Sequence, residues 1–562
     1  MTVQQSLYRA VKNALETLGV SGANFVIEFT DLSNGDFATN AAMATAKDLG
    51  KSPREVAEMI VAELEKQSVP EIQSMSIAGP GFINFALKRE VFTQSVADVL
   101  INQITFDSAG DIAGKKILIE HSSPNLFKPF HIGHMMNNAI GESLVRMYRA
   151  VGAGVTTMSF PSDISLGVAK AIYTILEKYG ADFIPTEISV LGDAYVDGTR
   201  AYDEDESIHE RVKEIADNLY GGIDSPELNV FNACKKFNIE YFESITQRLG
   251  SHFDSYIYES EAGVVGKDLV QKNTPAVFTE SEGAIVYIPD EAKKYLNTSV
   301  FINSQGNPTY DAKDLGLLQL KFGKHLWDAS LFVTDHEQIP HFQVVLDAAE
   351  QINPVWSQHS VHIAHGRMSF KGNKMSSRLG GVPLVSEILE TVGEEVRERA
   401  KDRTISQDLV DEIAIAAIKF SILRAKPGQN INFDPDTSLS FEGDSGPYLQ
   451  YTHARITTML EKAAGENLLP VYSPDQGVSD IERIAFRFRD TVAFAVAENG
   501  PHHIVIYLLE LARAFNSFYA TNKFIDPENR EVSAHRLAIA QIVQQLLAYG
   551  LDMLGIKAPN KM

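Results

Sequence analysis

The stretch between residues 115 and 160 constrains the fold more than any other. A short apolar run, "KKILIEH", passes through "SSPNLFKPF" into "HIGHMMNNAIGESLVRMYRAVG", and a second run, "GVTTMSF", leads into "LGVAKAIYTILEKYG". Strand, turn, helix and strand again at this spacing make a βαβ unit, which needs a parallel sheet with helices on its faces. "ASLFVTD" and "SVHIAHG" read as later strands of the same sheet.

The flanks read differently. Residues 1–108 form an α+β module and link: a helical start, the strand-like "NFVIEFT", the helical period of "REVAEMIVAELE", and the strand-like "SMSIAGPGFINFAL" bounded by Gly and Pro. Beyond residue 385 strands nearly vanish, and runs such as "DLVDEIAIAAIKFSILRA", "GPYLQYTHARITTMLEKAAG" and "SAHRLAIAQIVQQLLAYGLDMLGI" keep a helical period. The expected fold class is α/β. A Rossmann-like, parallel-sheet domain spans residues 109–388 and carries an acidic, mostly helical insertion at about 187–275, and an all-α helical bundle follows at 389–562. A chain of 562 residues is long enough for such a division.

A net charge of −23 argues against nucleic-acid binding by bulk electrostatics, so any such contact must use local basic patches. The single cysteine, Cys234, excludes an intramolecular disulfide framework and any cysteine-rich zinc module, and reads as a small core residue. The N-terminal run lacks the apolar core of a signal peptide, and no stretch approaches the roughly 20 apolar residues that span a bilayer. The expected location is the cytoplasm.

In a parallel sheet, ligands bind beyond the carboxyl ends of the strands, and "ILIEHSSPNLFKPFHIGH" occupies that position. The N–H groups and positive dipole end of a helix starting near Ile132 favour a triphosphate. Gly133 has no side chain, so a flat ring such as adenine could pack on its backbone. His131 and His134 lie one helical turn apart and can face one point as donors to phosphate. The same string also fits a metal pair or two surface histidines. Farther on, "GRMSFKGNKMSSRLGG" brackets Lys374, Ser376 and Ser377 with glycines, which fits either a phosphate-closing segment or a flexible basic loop.

The two motifs together resemble the class I aminoacyl-tRNA synthetases. The first matches the HIGH motif to the letter, and the second matches KMSK except that Ser377 replaces the final lysine. The resemblance implies activation of an amino acid by ATP, with Mg²⁺ on the phosphates and no protein-held metal, followed by transfer to a tRNA 3′ end. His131, His134, Lys374, Ser376 and Ser377 would stabilise the charge at the α-phosphate, with Lys128 well placed to replace the missing lysine.

"SSPNLFKPFHIGH" closely resembles the arginyl-tRNA synthetase form of the motif, and "NPTYDAKDLG", "DHEQIPHFQVV", "GDSGPYLQYTHARI", "FNSFY" and "LGIKAPNKM" extend the resemblance over nearly the whole chain. It implies L-arginine as substrate. Asn125 and Gln338 would hold the ammonium and carboxylate end, and Tyr310 and Asp314 the guanidinium, assisted by Glu120. Tyr310 also fits a core aromatic, Asp314 a helix cap, and Glu120 a solvated or salt-bridged strand end. Gly366 and Met368 would meet adenine through their backbone, beside His362 and His365. The chain departs from the family at "SDIS", which keeps only Asp163 of Gly-Asp-Trp-Gly, and at His365, where an aromatic is common.

The resemblance further implies tRNA-Arg as partner, with the anticodon read by the helical domain and the tRNA outer corner touched by the N-terminal module. Tyr448, Tyr451, Arg455, Phe518 and Tyr519 fall at helical intervals, as base stacking beside a cation needs, although each fits a bundle core as well. The chain is expected to be a monomer. A non-catalytic tRNA-binding paralogue, a class I synthetase of other specificity and a small adenylyl-forming ligase are the competing readings. The intact His131, His134, Lys128 and Lys374 argue against the first, and "YDAKD" with "SPNLFKP" against other specificities.

Overall fold

A computed structural model of the chain describes residues 2–101, 104, 106, 110, 112–371, 383–400 and 405–562. At the N-terminus, α1 (Val3–Thr17), β1 (Ile27–Phe29), β2 (Phe37–Thr39), α2 (Ala41–Thr45), α3 (Pro53–Gln67), β3 (Ile72–Ala78) and β4 (Phe82–Leu87) form an antiparallel sheet of order β1-β2-β4-β3 with helices packed on it. The helix expected at "REVAEMIVAELE" is α3. Ser52 and Glu55 close a capping box around Pro53, and Val56, Ala57, Ile60 and Leu64 make its buried stripe. Helix α4 (Arg89–Leu100) links this module to the sheet that follows.

That sheet holds β5 (Lys116–Glu120), then α5 (Ile132–Ala150), β6 (Gly154–Ser159) and α6 (Leu166–Tyr179). The acidic region is helical, with α7 (Ile188–Glu204), α8 (His209–Gly221) and α9 (Pro226–Arg248), but it returns to the sheet as β7 (Ser255–Tyr256), parallel to β6. Cys234 is fully buried in its core, and burial pushes the thiol up to about 12. Helix α10 (Glu259–Lys272) precedes a small antiparallel sheet of β8 (Phe278–Ser281), β9 (Ala284–Tyr287) and β10 (Ser299–Ile302), which the sequence reading does not anticipate. Then come α11 (Tyr310–Lys324), β11 (Ala329–Asp335), α12 (Ile339–Ile352), α13 (Pro354–Gln358), β12 (Ser360–His365) and β13 (Met368–Phe370). The main sheet has the order β12-β11-β5-β6-β7 and is parallel throughout, as the βαβ pattern requires.

Among the described residues beyond β13 the elements are helical apart from β14 (Ile431–Phe433), which pairs with β13. Residue 388, where the sequence reading starts to separate the bundle, lies inside the helix Val385–Ala400. One hydrophobic core runs from Ile117, Ile119 and Met135 of the βα unit into Val392, Ile418, Ile504 and Leu547 of the helices. The two regions are therefore packed as one body, because the first bundle helices cover the apolar face of α5.

Candidate active site

The segment between β5 and α5 is locked before the helix begins. Ser122 and Phe127 both adopt left-handed backbone conformations, with φ of 56° and 63°. Asn137, on α5, accepts from the Ser122 N–H at 2.8 Å and donates to the Val333 carbonyl on β11 at 2.6 Å. One side chain thus ties the segment to the neighbouring strand.

His131 caps α5. Its Nδ1 accepts from the Gly133 N–H at 3.1 Å, and its own N–H donates to His134 Nδ1 at 3.1 Å. A ring nitrogen that accepts a hydrogen bond carries no proton, so each neutral imidazole bears its proton on Nε2. The two rings stack with centroids 3.8 Å apart, and Phe130 stacks on His134 at 4.7 Å. Burial, with the charge of Lys128 as a second cause, pushes His131 below the ordinary imidazole range. Burial pushes His134 well below it, helped by His131 and Lys128. The turn therefore presents a neutral pair with the ring protons on Nε2.

Two expectations need correction here. The first N–H groups of α5 are not open to a phosphate: Ile132 donates to the Pro383 carbonyl at 3.0 Å, and Gly133 to His131. The bare face of Gly133 is covered by the His131 ring, whose Cε1 would stand 3.0 Å from an added Cβ. Lys128 holds its Nζ 4.6 Å from the ring centre of Tyr195 on α7, and the Ser377 position it was expected to serve lies outside the described residues.

Asn125 and Gln338 are exposed just beyond the carboxyl ends of β5 and β11, and Tyr310 is exposed at the start of α11. Asp314 is not a helix cap. It lies one turn into α11 and accepts from His341 Nε2, on α12, at 2.6 Å. The other ring nitrogen of His341 is 3.3 Å from Asp311. The two carboxylates outweigh burial and push His341 up to about 10. Asp311 and His341 were not singled out from the sequence; the spacing of Asp311 and Asp314 on one helical face was the available signal, but nothing local points to His341. Glu120 proves to be the salt-bridged strand end, buried against Lys321 of α11. Asp163 is fully buried, held by Ser260 Oγ and Lys235 at 2.7 Å each, so it ties the end of β6 to α9 and α10.

His362 shares a hydrogen bond with Thr334 Oγ1 at 2.7 Å and stacks on Phe332, while the buried His365 donates from Nδ1 to the Gly366 carbonyl at 2.7 Å. A side chain at Gly366 would run into the backbone of Gln429, so close packing alone accounts for this glycine. Met368 is half-buried in β13. Lys374, Ser376 and Ser377 lie outside the described residues.

In the helical region, Tyr451, Arg455 and Tyr519 line one cleft of about 600 Å³, together with Lys462, Lys523 and Phe524. The Arg455 guanidinium lies 4.7 Å from the Tyr451 ring centre and 5.6 Å from that of Tyr519. Tyr448 stands behind, its hydroxyl accepting from Asn516 at 2.9 Å, and Phe518 packs against the core.

The whole chain resembles known proteins. The family described as "tRNA synthetases class I (R), catalytic domain" matches residues 95–434. "Arginyl tRNA synthetase N terminal domain" matches 3–87, and "DALR anticodon binding domain" matches 449–562. An arginine–tRNA ligase of Alkaliphilus metalliredigens is 28% identical over 542 residues, covering 94% of each chain. One from Shewanella pealeana is 28% identical over 586 residues, covering 99% of each. The solved Thermus thermophilus arginyl-tRNA synthetase superposes with a TM-score of 0.79 at 24% identity, covering 100% of both chains.

Proposed function

This chain belongs to the class I arginyl-tRNA synthetase family, and from that premise we infer the division of labour among its residues. The protein is an arginine–tRNA ligase that uses ATP. In the first step a carboxylate oxygen of L-arginine attacks the α-phosphorus and pyrophosphate leaves. In the second, a hydroxyl of the tRNA-Arg terminal ribose attacks the arginyl carbonyl and AMP leaves.

The observation that carries the assignment is the neutral His131–His134 pair, whose Nε2–H donors stand beyond the carboxyl end of β5. Donors aimed at developing phosphate charge act without reorganising during the reaction. Neutral imidazoles also spare the site a charge that would repel Lys128. We assign the α-ammonium and carboxylate of arginine to Asn125 and Gln338, and the guanidinium to Tyr310 and Asp314. The adenine lies along the backbone at Gly366 and Met368, and Lys374, Ser376 and Ser377 act on the phosphates. Mg²⁺ supplies further charge there.

Tyr451, Arg455 and Tyr519 are assigned to stacking on tRNA bases, with Tyr448 supporting them from behind. Lys462 and Lys523 make the cleft a local basic patch on an acidic protein. Among the described residues no helix is long and apolar enough to cross a membrane. We place the enzyme in the cytoplasm as a monomer.

The test is arginine-dependent exchange of pyrophosphate into ATP, with and without total tRNA and with lysine as control. Exchange with arginine and not lysine is expected. Exchange absent with every amino acid, in a folded protein, would leave a tRNA-binding paralogue.

A further inference from the structure

Resting on the assignment of Tyr310 and Asp314 to the guanidinium, we propose that His341, together with Asp311, is a positioning unit for arginine. The imidazolium orients Asp314 and sets the pocket's charge to what one guanidinium neutralises.

The geometry comes first. His341 Nε2 is 2.6 Å from Asp314 Oδ2 and Nδ1 is 3.3 Å from Asp311 Oδ1. Asp314 accepts from Nε2 and Asp311 lies within ion-pair distance of Nδ1, so two carboxylates favour a second proton on the ring and its cationic form. Two influences oppose a cation there. The ring is largely buried, and it sits in the first turn of α12, at the positive end of the helix dipole. Among the described residues, the carboxylate pair offsets them. The other groups facing the cluster do not replace it. His362 on β12 stays neutral beside Phe342, and the Glu259 carboxylate on α10, which feels the charge of Asp314, is paired with Lys313 at 2.8 Å.

Two carboxylates and one imidazolium leave a single negative charge before substrate enters. Each carboxylate oxygen accepts more than one hydrogen bond, so Asp314 remains able to meet a planar guanidinium while His341 fixes its plane. With the imidazolium removed, Asp311 and Asp314, three residues apart on α11, stand uncompensated, and like charges on one helix face favour protonation of one of them. Asp314 then spends part of its time protonated or turned toward Asp311, and arginine loses its partner.

The experiment compares steady-state arginine and ATP kinetics of the full chain, His341→Asn and the double variant D311N/H341N at pH 6 to 9. H341N is expected to raise the arginine KM about tenfold near pH 7 and leave the ATP KM within about twofold, as lost substrate positioning requires. The rise should shrink toward pH 9, where both carboxylates ionise. D311N/H341N restores the single negative charge and is expected to recover most of the loss. An arginine KM within about twofold of the parent in H341N overturns the proposal, as does a rise equal at pH 6 and 9 that the double variant does not recover. Should H341N not fold, the double variant decides alone: a KM within about threefold of the parent supports the charge argument, and a larger rise overturns it. A parent protein that turns over no arginine overturns the pocket assignment and this inference with it, and so separates the two failures.

Discussion

At the start of α5, the hydrogen bonds that orient His131 and His134 come from within the turn itself, whereas Asp314 is oriented by His341, 27 residues further along the chain. The first region is neutral and stacked, with burial driving both imidazoles toward the uncharged form. The second is ionic, with a histidine kept charged against burial by two carboxylates. On the proposed assignment, histidine thus does opposite work at the two ends of one active site. At the phosphate end a proton donor without charge is needed, and at the arginine end a charge without a free proton.

The largest expected effect falls on the ionic side. Asp314→Asn leaves the guanidinium poorly paired and should cost about 4 kcal/mol in arginine kcat/KM. An unchanged arginine KM would remove Asp314 from this role and end the contrast. His134→Ala deletes a buried donor and a cap, and should lower kcat in pyrophosphate exchange by about a hundredfold. If the arginine KM moved as much as kcat, the two ends would not be separable.

A third region sharpens the comparison, because its cation lies between rings rather than carboxylates. Arg455→Ala should weaken tRNA binding by about 1–2 kcal/mol and flatten its salt dependence, with the arginine KM kept. Binding by filter retention at two salt concentrations reads both.

The smallest effects concern pH, and their signs oppose. Where the folded pKa is depressed, as at His134, the unfolded chain binds the extra proton, so stability falls as pH drops below about 6.5. Where it is raised, as at His341, the stabilisation is complete below about 6.5 and is lost as pH climbs through about 10. The melting temperature of the parent relative to His134→Gln should therefore fall from pH 7 to 5, and its advantage over H341N should shrink from pH 6 to 10. Shifts of a few degrees, on the order of 1 kcal/mol, are expected. Parallel trends in both pairs would contradict the opposite charge states.

Much of this could be read in advance. The βαβ pattern led to the parallel sheet, and the spacing of His131 and His134 led to a stacked pair at a helix start. Helical intervals also brought Tyr451, Arg455 and Tyr519 to one cleft, although Tyr448 belongs behind it. What could not be read in advance shares a cause: the partners of Glu120, Lys128 and Asp314, which are Lys321, Tyr195 and His341, each sit on another element. The small sheet of β8 to β10 escaped notice because four-residue strands leave little periodicity to detect.

The amino-acid sequence by itself determined the local part: strand and helix periods, the cap that sets both imidazole tautomers at α5, and the family signatures around them. These depend on backbone geometry over a few residues, and neighbouring side chains suffice to specify them. Only the tertiary structure decided which charges are spent and which remain for substrate. That depends on the packing of α11 against α12 and against the sheet, where a carboxylate's partner is chosen by proximity across elements and by the cost of leaving it buried alone.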